Sequence, residues 1–182
     1  MYKRQIHDVV VTLTERERNT VAVGASIATD VGVGFSLDYT RRNFTGRGDT
    51  LTAGLDFAQL EQEIEVEWRR PNELGYGRNI VLSTSLSNEE TDGFDRQQFG
   101  VSAALEVSRS PDFTYTFGAT ASLIHEEDDF GERDLQLLGL FLAARRDRSN
   151  DFLNPTRGWR LDGRIDPNLS LIHISEPTRL WT

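Results

Sequence analysis

The chain has 182 residues, no cysteine and a formal net charge of −9. The missing cysteines exclude a disulfide framework and thiol chemistry, and the negative charge opposes nucleic-acid binding. No run of about 18 apolar residues occurs, which excludes a membrane-spanning helix but not spanning strands, since these offer lipid only every second side chain.

The first five residues, Met1–Gln5, hold the only methionine and the only lysine. They and the tail at 169–182, where alternation is lost, resemble translated sequencing-adapter peptides and are set aside from fold reasoning. Asp8 to Thr14 reads as one short strand, and Glu15–Arg18 as a charged boundary; 6–18 is expected to close a preceding unit.

From Thr20 onward a period-two pattern dominates. Thr20 to Thr29 is the first long strand, with Val21, Val23, Ala25 and Ile27 on one face; Gly24 with the small Ala22, Ala25, Ser26 and Ala28 makes it thin and poorly packed. Val33 to Arg42 follows, with Phe35 and Leu37 opposite Asp38. Thr50 to Ala58 sets Leu55 against Asp56, and Glu61 to Arg70 sets Val66 and Trp68 against Glu63, Glu65 and Glu67. Further strands are expected at Asn79–Ser87, Gln97–Val107, Phe113–Ile124 (with Phe117 outward), Asp134–Arg145 and Gly158–Asp166. Such strands in series suit an all-β antiparallel meander in which Phe35, Leu37, Leu55, Val66, Trp68 and Phe117 face lipid. Asp38, Asp56, Glu63, Glu65 and Glu67 then line a wet lumen, with Arg160 and Arg164 as partners from another strand. An open sheet of this kind would leave two unpaired edges in lipid, so further strands are expected to complete the barrel.

The connections carry turn chemistry: Asp30-Val31-Gly32, the glycine-rich Asn43–Asp49, Pro71-Asn72, Ser110-Pro111-Asp112 and Asn154–Gly158. They divide into two rims. Acid collects after the fifth and seventh strands (Glu89, Glu90, Asp92, Asp95; Glu126, Glu127, Asp128, Asp129, Glu132). Arginine collects at the other end (Arg41, Arg42, Arg47, Arg69, Arg70, Arg78, Arg145, Arg146, Arg148, Arg157). Phe44, Trp68, Phe113, Tyr115 and Trp159 fall near the arginine rim, where an aromatic girdle would lie.

Catalytic chemistry is not expected. His125 beside four acids has no spaced second cluster and reads as a solvated loop rather than a metal site. The glutamates of the fourth strand are better explained by a wet lumen than by acid–base work. Gly46-Arg47-Gly48 precedes no helix, so it is no phosphate loop. No enzyme activity and no cofactor are expected.

The stretch Val9 to Phe57, with its valine-rich strand, its short hairpin at Asp30 to Gly34 and its Asn43-Phe44-x-Gly46-Arg47-Gly48 turn, resembles the start of the barrel in the TamA/BamA superfamily. Asn154-Pro155-Thr156-Arg157-Gly158-Trp159 is similar to a turn before a middle barrel strand of that superfamily. The resemblance implies a bacterial outer-membrane barrel of about sixteen strands, of which about nine lie at 19–168. It implies that 6–18 ends the last polypeptide-transport-associated (POTRA) domain. It also implies a TamA-like assembly and translocation factor for outer-membrane or autotransporter clients, with an inner-membrane-anchored TamB-like partner. Thr20–Thr29 would be the lateral-gate strand, opening sideways to add a client strand at its edge; its small residues favour opening, or simply fit a crowded lumen. The segment alone would be inactive. The alternatives are a two-partner secretion exporter, a passive pore or structural barrel, and a soluble β-sandwich binding module.

Overall fold

The computed structural model describes residues 12, 16–28, 32–91, 93–129, 131–151 and 153–175. The expected strand at Asp8–Thr14, the end of the gate strand at Thr29, and the Asp30-Val31 hairpin tip fall outside the described residues or almost wholly so.

Ten strands form one antiparallel sheet: β1 (Asn19–Ala28), β2 (Gly32–Arg42), β3 (Thr50–Ala58), β4 (Glu61–Arg70), β5 (Arg78–Glu90), β6 (Phe94–Ser110), β7 (Phe113–Asp128), β8 (Gly131–Asp147), β9 (Arg160–Ile165) and β10 (Asn168–Ser175). Each strand from β1 to β8 pairs with its sequence neighbours, and both β9 and β10 pair with β8. This meander follows from short polar connections between alternating segments, which make neighbouring strands in the chain neighbours in space. The sheet is not closed: β1 lies at one edge and β9–β10 at the other.

β9 and β10 are two parts of one line of chain. Ile165 lies opposite Leu142 and Asn168 opposite Gly139, so the register on β8 is unbroken. Asp166-Pro167 interrupts the ladder because proline lacks the N–H a strand must donate, yet the Pro167 carbonyl still accepts from Leu140 N–H at 3.0 Å. The sequence reading ends the sheet at residue 168; the strand runs on to Ser175.

The expected β3 and β4 match the observed bounds. β5 to β8 are longer than expected. Glu89, Glu90, Asp95, Glu126, Glu127, Asp128 and Glu132, read as loop residues, are strand residues, and Asp92 lies outside the described residues. The cause is a row of alternating charge: Glu89 opposes Arg96, Arg96 opposes Glu126 and Glu126 opposes Arg133. Arg96 approaches Glu126 at 2.7 Å and Arg133 approaches Glu126 at 2.8 Å. Opposite charges facing each other across strands extend the ladder where apolar alternation has stopped. At a rise of about 3.3 Å and a tilt of about 40°, the 17 residues of β6 stand roughly 40 Å tall, well beyond a ~25 Å apolar band.

The sheet has no enclosed core. Among the described residues Val107 is the one buried hydrophobic side chain, while Phe35 and Phe117 are 48% and 46% exposed. No second sheet or helix among the described residues covers the apolar face, whereas a β-sandwich buries such a face against a second sheet.

Candidate functional site

The register assigns each side chain to a face. One row runs Val23–Leu37–Leu55–Ile64–Leu86–Phe99–Leu123 across seven strands. Phe35 and Phe57 pair on the same face, as do Val66 and Ala53 and Phe117 and Leu142. Trp68 lies in the row Arg41–Leu51–Trp68–Leu82. Thus all six side chains expected toward lipid share one apolar face. The opposite face is polar or small: Ala22–Asp38–Gly54–Glu65–Ser85–Gly100–Ser122 is a representative row.

On that polar face Asp38, Asp56, Glu63, Glu65 and Glu67 line one open cleft with Thr52 and Gly54. Arg160 and Arg164 do not reach it. Arg160 binds Asp162 at 2.9 Å, and Arg164 binds Asp166 at 2.7 Å and lies 4.8 Å from the centre of the Phe141 ring. These acids stand two residues along the same strand or its extension, closer than any glutamate of β4. Arg69 is the cation beside the cleft, 3.3 Å from Glu67 and 3.1 Å from Glu106.

β1 pairs with β2 from Asn19↔Arg41 to Ala28↔Gly32 and with no other described strand. Its apolar side chains, Val21, Val23 and Ile27, meet Tyr39, Leu37 and Val33. Its polar-face positions Thr20, Ala22, Gly24 and Ser26 are all small. Gly24 and Ser36 oppose each other, as do Ser26 and Gly34, and a Cβ on either glycine would lie 2.5 Å from the facing serine Oγ. The two strands therefore interlock with hydroxyls seated over glycines, and little side-chain bulk stands on the polar side of the edge.

At the arginine end two turns repeat one pattern, Asn-x-x-Gly-x-Gly, at 43–48 and 72–77. Asn43 and Asn72 take positive φ (53° and 57°), as do Gly46, Gly48, Gly75 and Gly77, conformations that asparagine and glycine accept most readily. Asn43 Oδ1 accepts from Gly48 N–H at 2.8 Å, and Asn72 Oδ1 accepts from Gly77 N–H at 2.7 Å. In the first turn Asp49 is fully covered. Its carboxylate accepts from Thr45 N–H at 2.9 Å and from the Trp68 indole N–H at 2.7 Å. Burial pushes its pKa up, but these hydrogen bonds outweigh burial and hold it below the usual carboxylate value. Asp49 thus ties the turn to β4. Sequence reasoning missed this link and the charged row at the other end. The first had a signal in the repeated turn pattern, and the second in opposite charges that fall into register across hairpins.

The Omp85 superfamily domain matches residues 43–174, which include both turns, the acidic cleft apart from Asp38, and the charged row. The chain belongs to the Omp85 superfamily. Its fold is similar to that of BamA from Haemophilus ducreyi lacking POTRA domains 1–3, with a TM-score of 0.72 and 14% identity over 86% of this chain. The chain spans 35% of the length of that BamA chain. No curated protein matches it. As an Omp85 segment, the sheet is part of the wall of a bacterial outer-membrane β-barrel.

Proposed function

We propose that this Omp85 segment is the opening half of a TamA-like barrel that assembles and translocates outer-membrane or autotransporter clients. The apolar face meets lipid, the polar face lines the lumen, and β1 is the edge that accepts a client strand. The carrying observation is the build of β1: a ten-residue edge strand without proline, held to β2 by an apolar row on one face and nearly bare on the other. About half of the backbone groups of an edge strand point away from its partner and are free to pair. The apolar side chains anchor β1 while its small side leaves room for an incoming strand's lumenal side chains. Such strand addition draws its affinity from main-chain hydrogen bonds and so accepts many client sequences. The turn at 43–49 and the arginine end would face the periplasm, where an inner-membrane-anchored TamB-like partner would approach.

The chain has no native cysteine, so single cysteines at Ala22, Ser26 and, as a mid-sheet control, Ser85 can be tested for disulfides to a stalled client strand. The full-length barrel carrying this segment should capture the client through β1 in a fixed register and not through Ser85. Equal capture from both strands, or none from β1, would refute the proposal.

A further inference from the structure

Most arginines of the sheet divide by face; Arg70, opposite Ile80 on the apolar face, is the exception and pairs with Glu73 at 2.6 Å. On the polar face from β4 to β9, Arg69, Arg96, Arg133, Arg145, Arg160 and Arg164 each pair with a carboxylate. On the apolar face the arginine end is different. Arg41 lies in the row of Leu51 and Trp68, Arg78 in the row of Val107 and Tyr115, and Arg146 opposite Phe113 and Leu161. None of the three has a carboxylate among the described residues within 4 Å, and neither has Arg109 in the β6 bulge between Ser108 and Ser110. Arg41 instead stacks 5.4 Å from the Phe44 ring centre, and Arg78 donates to the Leu74 carbonyl at 3.0 Å.

These four exposed cations lie just beyond the apolar band and in register with it, interleaved with Trp68, Tyr76, Phe113 and Tyr115. Between the turn at 71–77 and the bulge, a cleft of about 650 Å³ is lined by Asn72, Tyr76, Arg78, Arg109 and Tyr115 among others. A guanidinium's planar fork suits phosphate oxygens, and aromatic rings suit the headgroup level beside it. Acidic side chains occupy the same face at the far end, where Glu90, Asp95 and Glu127 stand, so the preference is confined to one leaflet.

We propose that Arg41, Arg78, Arg109 and Arg146 form an outward belt that holds the phosphates of an anionic phospholipid leaflet, with the cleft between the 71–77 turn and the β6 bulge as its deepest seat. The idea rests on the lipid-facing reading of the apolar face. It is tested with the full-length barrel carrying this segment, with every tryptophan except Trp68 and Trp159 replaced by phenylalanine, folded into phosphatidylcholine vesicles containing one-fifth phosphatidylglycerol, with bromine placed near the headgroup on one lipid or the other. Trp68 and Trp159 then report which lipid is adjacent. Brominated phosphatidylcholine should quench in every variant, since it reports insertion alone; absence of quenching by either lipid would overturn the lipid-facing reading as well.

Phosphatidylglycerol should be enriched beside the tryptophans about fivefold over its bulk share, the preference that one basic residue at an anionic surface supplies. The combined Arg41→Gln, Arg78→Gln, Arg109→Gln, Arg146→Gln variant should reduce that enrichment to about unity. Quenching by the two lipids in their bulk proportions in the unsubstituted chain would overturn the belt alone. Should the variant not insert, raising salt on the unsubstituted chain must abolish the enrichment, and a salt-independent ratio would overturn the belt equally.

Discussion

Replacing Leu55 by arginine separates a lipid-facing sheet from any other. Leu55 stands between Leu37 and Ile64 in the apolar row and four residues beyond Leu51, which is level with Trp68. At a rise of ~3.4 Å per residue and a tilt of ~40°, that places it roughly 10 Å above the aromatic end, near the middle of a ~25 Å band. An arginine at that depth on the lipid face costs about 2–4 kcal/mol, a shift of roughly 30- to 1,000-fold in the folding equilibrium. The control is Thr52→Arg on the opposite face, facing Glu67 in the acidic cleft; it should change stability by less than about 0.5 kcal/mol, as a solvated substitution does. Urea unfolding of the full-length barrel in phospholipid vesicles measures both. Equal effects of Leu55→Arg and Thr52→Arg would refute the reasoning, because the two faces would then meet the same medium.

Further outcomes follow from the packing. A side chain at Gly118 would overlap the Ala103 carbonyl and the Phe141 ring, so Gly118→Val should lower stability by about 1–3 kcal/mol in the same unfolding assay. Asn43→Ala and Asn72→Ala place alanine at positive φ and remove a side-chain bond to glycine, so each should cost about 1–2 kcal/mol, with β3 and β5 registers unchanged by hydrogen exchange. The Asp49 pKa is depressed in the folded protein. Its stabilisation is therefore present above the ordinary carboxylate value near pH 4 and lost as pH falls through the lower folded value. Asp49→Asn should flatten this acid limb of the urea midpoint, and an unchanged limb would place the titration elsewhere.

Much of the fold was legible because strand geometry writes itself into alternation. Leu51, Ala53, Leu55 and Phe57 against Thr52, Gly54 and Asp56 fixed β3, and the Glu63, Glu65, Glu67 series fixed β4. Where polarity no longer distinguishes the faces, alternation falls silent: Glu126 to Asp128 looked like a loop because the information lies in Arg96 and Arg133, on other strands. Pairing partners are likewise invisible along one strand, so Arg160 and Arg164 were matched to distant glutamates while Asp162 and Asp166 stood beside them. The small residues of β1 were readable one by one; that Gly24 and Ser26 share a face and interlock with Ser36 and Gly34 required the register. The link from Asp49 to Trp68 spans a hairpin and became evident only when the turn was seen to close over the carboxylate.

The most direct test of the central claim is a nitroxide scan of β3. In a chain without cysteine, single labels at residues 51–57 in the membrane-inserted barrel report access to oxygen, which concentrates in lipid, and to a water-soluble nickel chelate. The account predicts oxygen access at Leu51, Ala53, Leu55 and Phe57 and chelate access at Thr52, Gly54 and Asp56. Protection of the first set from both probes, as in a packed protein interior, or chelate access at all seven positions, would contradict it.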